Sequence, residues 1–128
     1  MNDNQIEQEI QAEGLTAPRV TPADIEANIR SWFYFTAQQG AEKAARDNGS
    51  NAAGTPEDGK ALGLLTFCVL VLQNGFTVTG ESACASPENF NAEIGRKIAR
   101  ENAVQKIWPL MGYSLKQQLH EAKISSIS

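Results

Sequence analysis

Leu64 to Ser82 is the stretch that most restricts what this chain can become. Leu64 to Gln73 is a run of branched and aromatic residues, Asn74-Gly75 is the dipeptide favoured in two-residue type I′ turns, and Phe76 to Ser82 alternates apolar with polar residues. A β-hairpin over about residues 64–83 is predicted. A two-residue turn sets Gln73 opposite Phe76, Val71 opposite Val78, Val69 opposite Gly80 and Phe67 opposite Ser82, and this side reads as the core face. The other side then carries Leu72, Leu70 and Cys68 opposite Thr77, Thr79 and Glu81. That register puts Cys68 and Cys84 on opposite faces, which argues against a disulfide between them.

A two-stranded ribbon needs cover to be stable. The face holding Cys68, Leu70 and Leu72 is therefore either folded under the C-terminal helices or used as an interface with another subunit. On the N-terminal side, Thr21-Pro22-Ala23-Asp24 is a helix start, with a hydroxyl cap, proline at the first position and a carboxylate three residues on. Ile25, Ile29, Trp32, Phe33 and Thr36 recur at helical spacing, so one helix is expected to near Gly40, or on to Arg46, with Glu26 and Arg30 as an exposed pair. Asp47 to Lys60 holds three glycines, a proline and no large apolar residue, and reads as a flexible loop.

On the C-terminal side, Ser86-Pro87 is expected to open a helix. Phe90, Ile94 and Ile98 form its large apolar stripe, and Gly95, Ala99 and Ala103 a row of small residues that permits close packing. Pro109 should break it after Trp108. A last helix from about Pro109 to Ala122 then presents Met111, Leu115, Leu119 and Ala122, and residues 123–128 fray. The expected architecture is one α+β domain over 21–122: an N-terminal helix, a hairpin and two C-terminal helices separated by a proline break.

Charge narrows the function classes. Asp3, Glu7, Glu9 and Glu13 make residues 1–20 an acidic flexible arm, while residues from Ala85 onward carry four acids and six bases. That weak positive balance is far from the footprint of a duplex-binding protein, so a nucleic-acid partner is not favoured. The start lacks the basic and apolar segments of a secretory signal, and Leu62 to Leu72 is about half a membrane span, so a soluble cytoplasmic protein is expected, with no membrane partner and both thiols reduced.

No catalytic constellation stands out. His120 is the only histidine and has no metal-ligand spacing around it, and no phosphate loop or dinucleotide fingerprint is present. Neither enzyme activity, a metal nor a cofactor is expected. Glu81, Glu88 and Glu93 are near one another only along the chain and read as solvated. The residues suited to binding are Ser82, Ser86 and Asn89 near a helix start that favours phosphate, Arg96 and Arg100 one turn apart for an anion, and Trp108 and Tyr113 for stacking on a base. Each also has a purely structural use.

The string Leu65 to Cys84, followed by Asn89-Phe90 and Ile107-Trp108-Pro109-Leu110, resembles the gene-49-like family of small tailed-phage proteins over residues 21–119. An aspartate is expected after Asn89-Phe90 by that resemblance, where this chain has Asn91. The resemblance implies a phage-encoded protein in the cytoplasm of a bacterial host. A small accessory protein of that kind is expected to act by stoichiometric binding as a counter-defence device, in its sharpest form a homo-oligomer that sequesters a nucleotide-derived immune signal. The alternative is a protein-interaction module that inhibits a host or defence protein, and a nucleic-acid-associated regulator comes third.

Overall fold

A computed structural model describes residues 2–15, 17–49 and 54–127. The fold is α+β, built on a three-stranded antiparallel sheet in the order β1-β2-β3. β1 is Ile29–Thr36, β2 is Leu65–Leu72 and β3 is Thr77–Ala83. Helices α1 (Asp3–Ala12) and α2 (Pro22–Ala27) precede β1, α3 (Ala37–Asp47) and α4 (Pro56–Leu62) link β1 to β2, and α5 (Ala92–Gln105) and α6 (Ile107–Ile127) follow β3.

The helix expected from Thr21 starts as predicted but is only six residues long. Thr21 Oγ1 accepts from the Asp24 amide at 3.1 Å and Asp24 accepts from the Thr21 amide at 2.9 Å, a reciprocal cap. The chain then extends, and Ile29, Trp32, Phe33 and Thr36 lie on a strand instead of a helical stripe. Their β-branched and aromatic side chains suit a pleated surface, and pairing with β2 decides the matter. Arg30 is the extra residue of a bulge between Ile29 and Ser31. Thr36 ends the strand and caps α3, accepting from Gln39.

The hairpin forms, with a register one residue away from the expected one. A type I′ turn requires positive φ at both central residues, yet Gly75, at +89°, is the only positive-φ residue of this turn. The loop is therefore Gln73-Asn74-Gly75: the Gly75 amide donates to the Leu72 carbonyl, and the Leu72 amide to that of Phe76. Leu70 now faces Val78, and Cys68 faces Gly80.

This shift reassigns the faces. Cys68, Leu70 and Leu72 are 0–3% exposed and form the core with Ile25, Ile29, Val78, Ala99, Ala103 and Ile107. The interface role expected for Cys68, Leu70 and Leu72 is thus corrected: the chain's own α5 covers them. Phe67, Val69 and Val71 take the opposite face, with Phe33 and Phe35 from β1. Both cysteines are free thiols.

α5 reaches the sheet through its small residues. Gly95, Ala99 and Ala103 are buried, as a close-packing row implies, whereas Ile94 and Ile98 of the neighbouring apolar stripe are 55% and 43% exposed. The helix sits so low over Gly80 that the backbone at Ala99 and Ala103 occupies the space of a Cβ. Ser86 does not cap it. Pro87–Asn89 form one 3-10 turn without a side-chain cap, and α5 begins later, with Asn91 Oδ1 accepting from the Ile94 amide at 3.0 Å. Asparagine and aspartate cap about equally well, so the departure from the expected aspartate leaves this role intact.

The break between the C-terminal helices falls at Lys106, upstream of Pro109, whose ring excludes the carbonyl four residues back. Helix α6 runs on to Ile127, beyond the expected end at Ala122. Two segments read as flexible hold helices: α1, capped by Asn2, and α4, capped by Thr55. Residues 50–53 of the expected loop lie outside the described residues.

Candidate functional site

A groove of about 890 Å³ lies between the start of α1, α2 and the outer flank of α5. Asp3, Glu26, Ile98, Arg100 and Trp108 are among its walls. Ile94 and Ile98 line it because the small-residue row of α5 has taken the sheet.

Arg100 is its best-defined polar group. Nη2 donates to Glu26 Oε2 at 2.8 Å, bridging α5 to α2, and the guanidinium carbon stands 5.8 Å from the Trp32 ring centroid on β1. Nη1 is buried and has no hydrogen-bond partner among the described residues. Glu26 was expected to pair with Arg30, but it is 74 positions from the arginine it meets.

Behind Arg100 lie Tyr34 and Cys68. Burial, joined by the Cys68 sulfur, pushes the Tyr34 hydroxyl above the usual phenol range, against the pull of Arg100 and Arg96. Burial likewise raises the Cys68 thiol, with Arg100 and Tyr34 opposing. Cys68 is therefore held as a packed thiol, the opposite of an activated nucleophile.

The aromatic end of the groove is fixed by α1. Trp108 Nε1 donates to Asp3 Oδ2 at 3.1 Å, and Gln105 Nε2 donates to the same oxygen at 3.3 Å. Further along α1, Glu7 takes both prongs of the Arg19 guanidinium, one at 2.7 Å. That pairing, with a smaller contribution from Gln11, lowers the Glu7 carboxyl to about 2.

Of the seven residues expected to bind ligand, Arg100 and Trp108 line this groove. Arg96 is exposed on the same helix, close enough to act on Tyr34. Ser82 lies opposite Thr66 on the covered face of the sheet. Ser86 and Asn89 belong to the 3-10 turn, where the amides of Asn89 and Phe90 are spent on the carbonyls of Ser86 and Pro87. That turn therefore does not open the helix at which free amides were expected. Tyr113, 74% exposed on α6, is not among the groove's walls.

Sequence reasoning missed Asp3, Glu26, Trp32 and Tyr34. The aromatic run Trp32–Phe35 was the available signal for Trp32 and Tyr34, since a strand there puts them on one face. Glu93 and Lys97 make the ordinary helical pair, at 3.3 Å. No group of three or more metal-ligating side chains is found among the described residues. None of their helices is long and apolar enough to cross a membrane.

No curated protein and no solved structure matches the chain. A family model matches residues 20–119, from the last residue before the α2 cap to the middle of α6. With that match spanning all three strands and α5, the chain belongs to the phage protein (N4 Gp49/phage Sf6 gene 66) family.

Proposed function

We propose that this phage protein works by stoichiometric binding in the host cytoplasm, holding a nucleotide-derived immune signal in the groove beside Arg100 and so withdrawing it from the host. The observation that carries the reading is the Arg100 guanidinium on the groove wall, a charge-assisted donor held in place by Glu26. The groove lies within the ~300–1,000 Å³ of small-molecule sites, with Trp108 and Ile98 to meet a flat ring.

Charge restricts the ligand class. Lys97 and Arg100 share the groove with Asp3, Glu26 and Glu101. A wall with one more carboxylate than cation penalises a triphosphate most, so the ligand proposed is one of lower charge, a phosphodiester or an ADP-ribose-type diphosphate. The alternative, an inhibitor of a host or defence protein working through the acidic arm and the Leu70 and Leu72 face, keeps only the arm, because both leucines lie in the core.

Calorimetry against cyclic dinucleotides and ADP-ribose-type nucleotides tests the proposal. One of them binds near one per site, is recovered unchanged, and loses at least about 10-fold in affinity to Arg100→Gln in a variant with native circular dichroism. Absence of heat from every nucleotide at about 100 μM folded protein refutes it.

A further inference from the structure

β1 and β3 are the two edges of the sheet, and hydrogen-bond parity fixes which main-chain groups each leaves outside. On β2 the Leu72 amide donates to the Phe76 carbonyl, and the Leu64 carbonyl before it accepts from the Cys84 amide, whereas the Gln73 amide donates to the Asn28 carbonyl. Even-numbered residues of β2 therefore face β3 and odd-numbered ones face β1. Phe67, Val69 and Val71 stand opposite Phe35, Phe33 and Ser31, so those three turn their main-chain groups inward. The amides and carbonyls of Trp32 and Tyr34 point out of the sheet.

The two edges end differently. By the same parity Glu81 faces outward on β3, and its carbonyl accepts from Asn102 Nδ2 of α5 at 2.8 Å. On β1 the outward groups of Trp32 and Tyr34 have no hydrogen-bond partner among the described residues. Native edges are blunted by proline, lysine or a bulge. Here the bulge is confined to Arg30 at the strand's start, and Trp32 to Phe35 is an uninterrupted aromatic run with Trp32 56% exposed.

Alternating free amides and carbonyls are complementary to the main chain of another extended segment. Charge decides which segment. Arg100 stands over Trp32 and is engaged by Glu26. Arg96, one turn before it on the same side of α5, and Arg30, on the strand itself, are exposed and make no ion pair among the described residues. A second copy of β1 would bring the arginines of two molecules together, whereas a strand bearing carboxylates neutralises them.

We infer that β1 is a docking edge for an extended acidic segment of a partner protein, which adds antiparallel as a fourth strand beside Trp32 and Tyr34. Side chains directly opposite these two share their face, the α5 side, and present carboxylates to Arg96 and Arg100. The alternate side chains fall beside Phe33 and Phe35 and are apolar.

A short capped peptide of alternating valine and glutamate, added to the full chain, tests it. Fluorescence anisotropy of the labelled peptide gives a Kd below about 1 mM. Hydrogen exchange of the Trp32 and Tyr34 amides slows on binding, while that of Phe33 and Phe35, already bonded to β2, is unchanged. Lysine in place of glutamate weakens binding at least about 10-fold, and Arg30→Gln with Arg96→Gln costs about 5-fold. N-methylation of the glutamates, which blocks the main-chain bonds and leaves the charge, also costs at least about 10-fold. Arg96→Gln alone repeats the measurement should the double variant lose its native circular dichroism. Absence of binding, or equal binding by the lysine peptide, the N-methylated peptide or the arginine variants, overturns the inference. So does protection of the Trp32 and Tyr34 amides that rises with protein concentration in the absence of peptide, since that assigns the edge to a second copy.

Discussion

Gly80→Ala is the sharpest probe of how α5 is seated. A Cβ at Gly80 falls on the Ala99 carbonyl oxygen and the Ala103 amide nitrogen and comes within 2.9 Å of the Ala103 Cα, whereas ordinary contact begins at 3.4 Å. These are main-chain atoms, so no rotamer change relieves the overlap, and α5 must lift from the sheet. Lifting it loosens Ala99 and Ala103 from Cys68, Leu70 and Val78. Overpacking of a tight core costs about 1–3 kcal/mol, and a backbone obstacle puts this site at the upper end. The reduced freedom of the unfolded chain returns only ~0.4–1 kcal/mol. At roughly 4 °C per kcal/mol for a domain of this size, the net loss is about 10 °C in Tm. Differential scanning calorimetry reads this directly. Adding Ala103→Gly should not rescue the variant, because the obstacle is main chain. Gly112→Ala, with nothing within 4 Å, serves as the control and should gain up to about 1 kcal/mol from helix propensity. A Gly80→Ala protein melting at or above the wild-type temperature refutes the close seating of α5.

The Asn91 cap predicts that Asn91→Ala loses about 1 kcal/mol in urea unfolding while Asn91→Asp stays within a few tenths of wild type; equal losses for both would discount capping. Glu7 predicts a pH effect on α1. Its carboxyl, ordinarily near 4.5, titrates at about 2 in the folded chain because of Arg19, so the stability it contributes is complete above pH 4.5 and drains away from there down to about 2. Hydrogen exchange of the α1 amides should therefore accelerate across that window relative to Glu7→Gln. Parallel profiles for the two proteins would show that the pair does not hold the helix down.

Local signals were the legible ones. The Thr21 capping box, the hairpin and the small row on α5 are each written within a few residues, and each is present in the fold. β1 was not legible as a strand, because Ile25, Ile29, Trp32, Phe33 and Thr36 satisfy helical spacing as well. Its pairing with β2, 30 to 43 positions along the chain, settles the choice, and the turn confirms it by donating the Gln73 amide to the Asn28 carbonyl at 2.9 Å. On α5 two apolar rows lie side by side, and size, not hydrophobicity, chose the one that meets the sheet. The groove was the least legible feature. Arg100 was visible as a cation, but its partners come from α2 and β1, and only the folded sheet brings Glu26 and Trp32 to it.

The three-residue turn carries more of the fold's decision than its length suggests. β2 is greasy on both sides, so it has no preference of its own, while β3 offers one apolar side and, in Gly80, the single notch that admits α5. Which flank of β2 joins that notch is settled by parity, and parity is settled by the left-handed glycine at 75. The same residues closed by a tighter loop would yield an inside-out isomer, with Phe67, Val69 and Val71 turned inward and the Cys68 thiol brought into water. One backbone angle selects between the two faces.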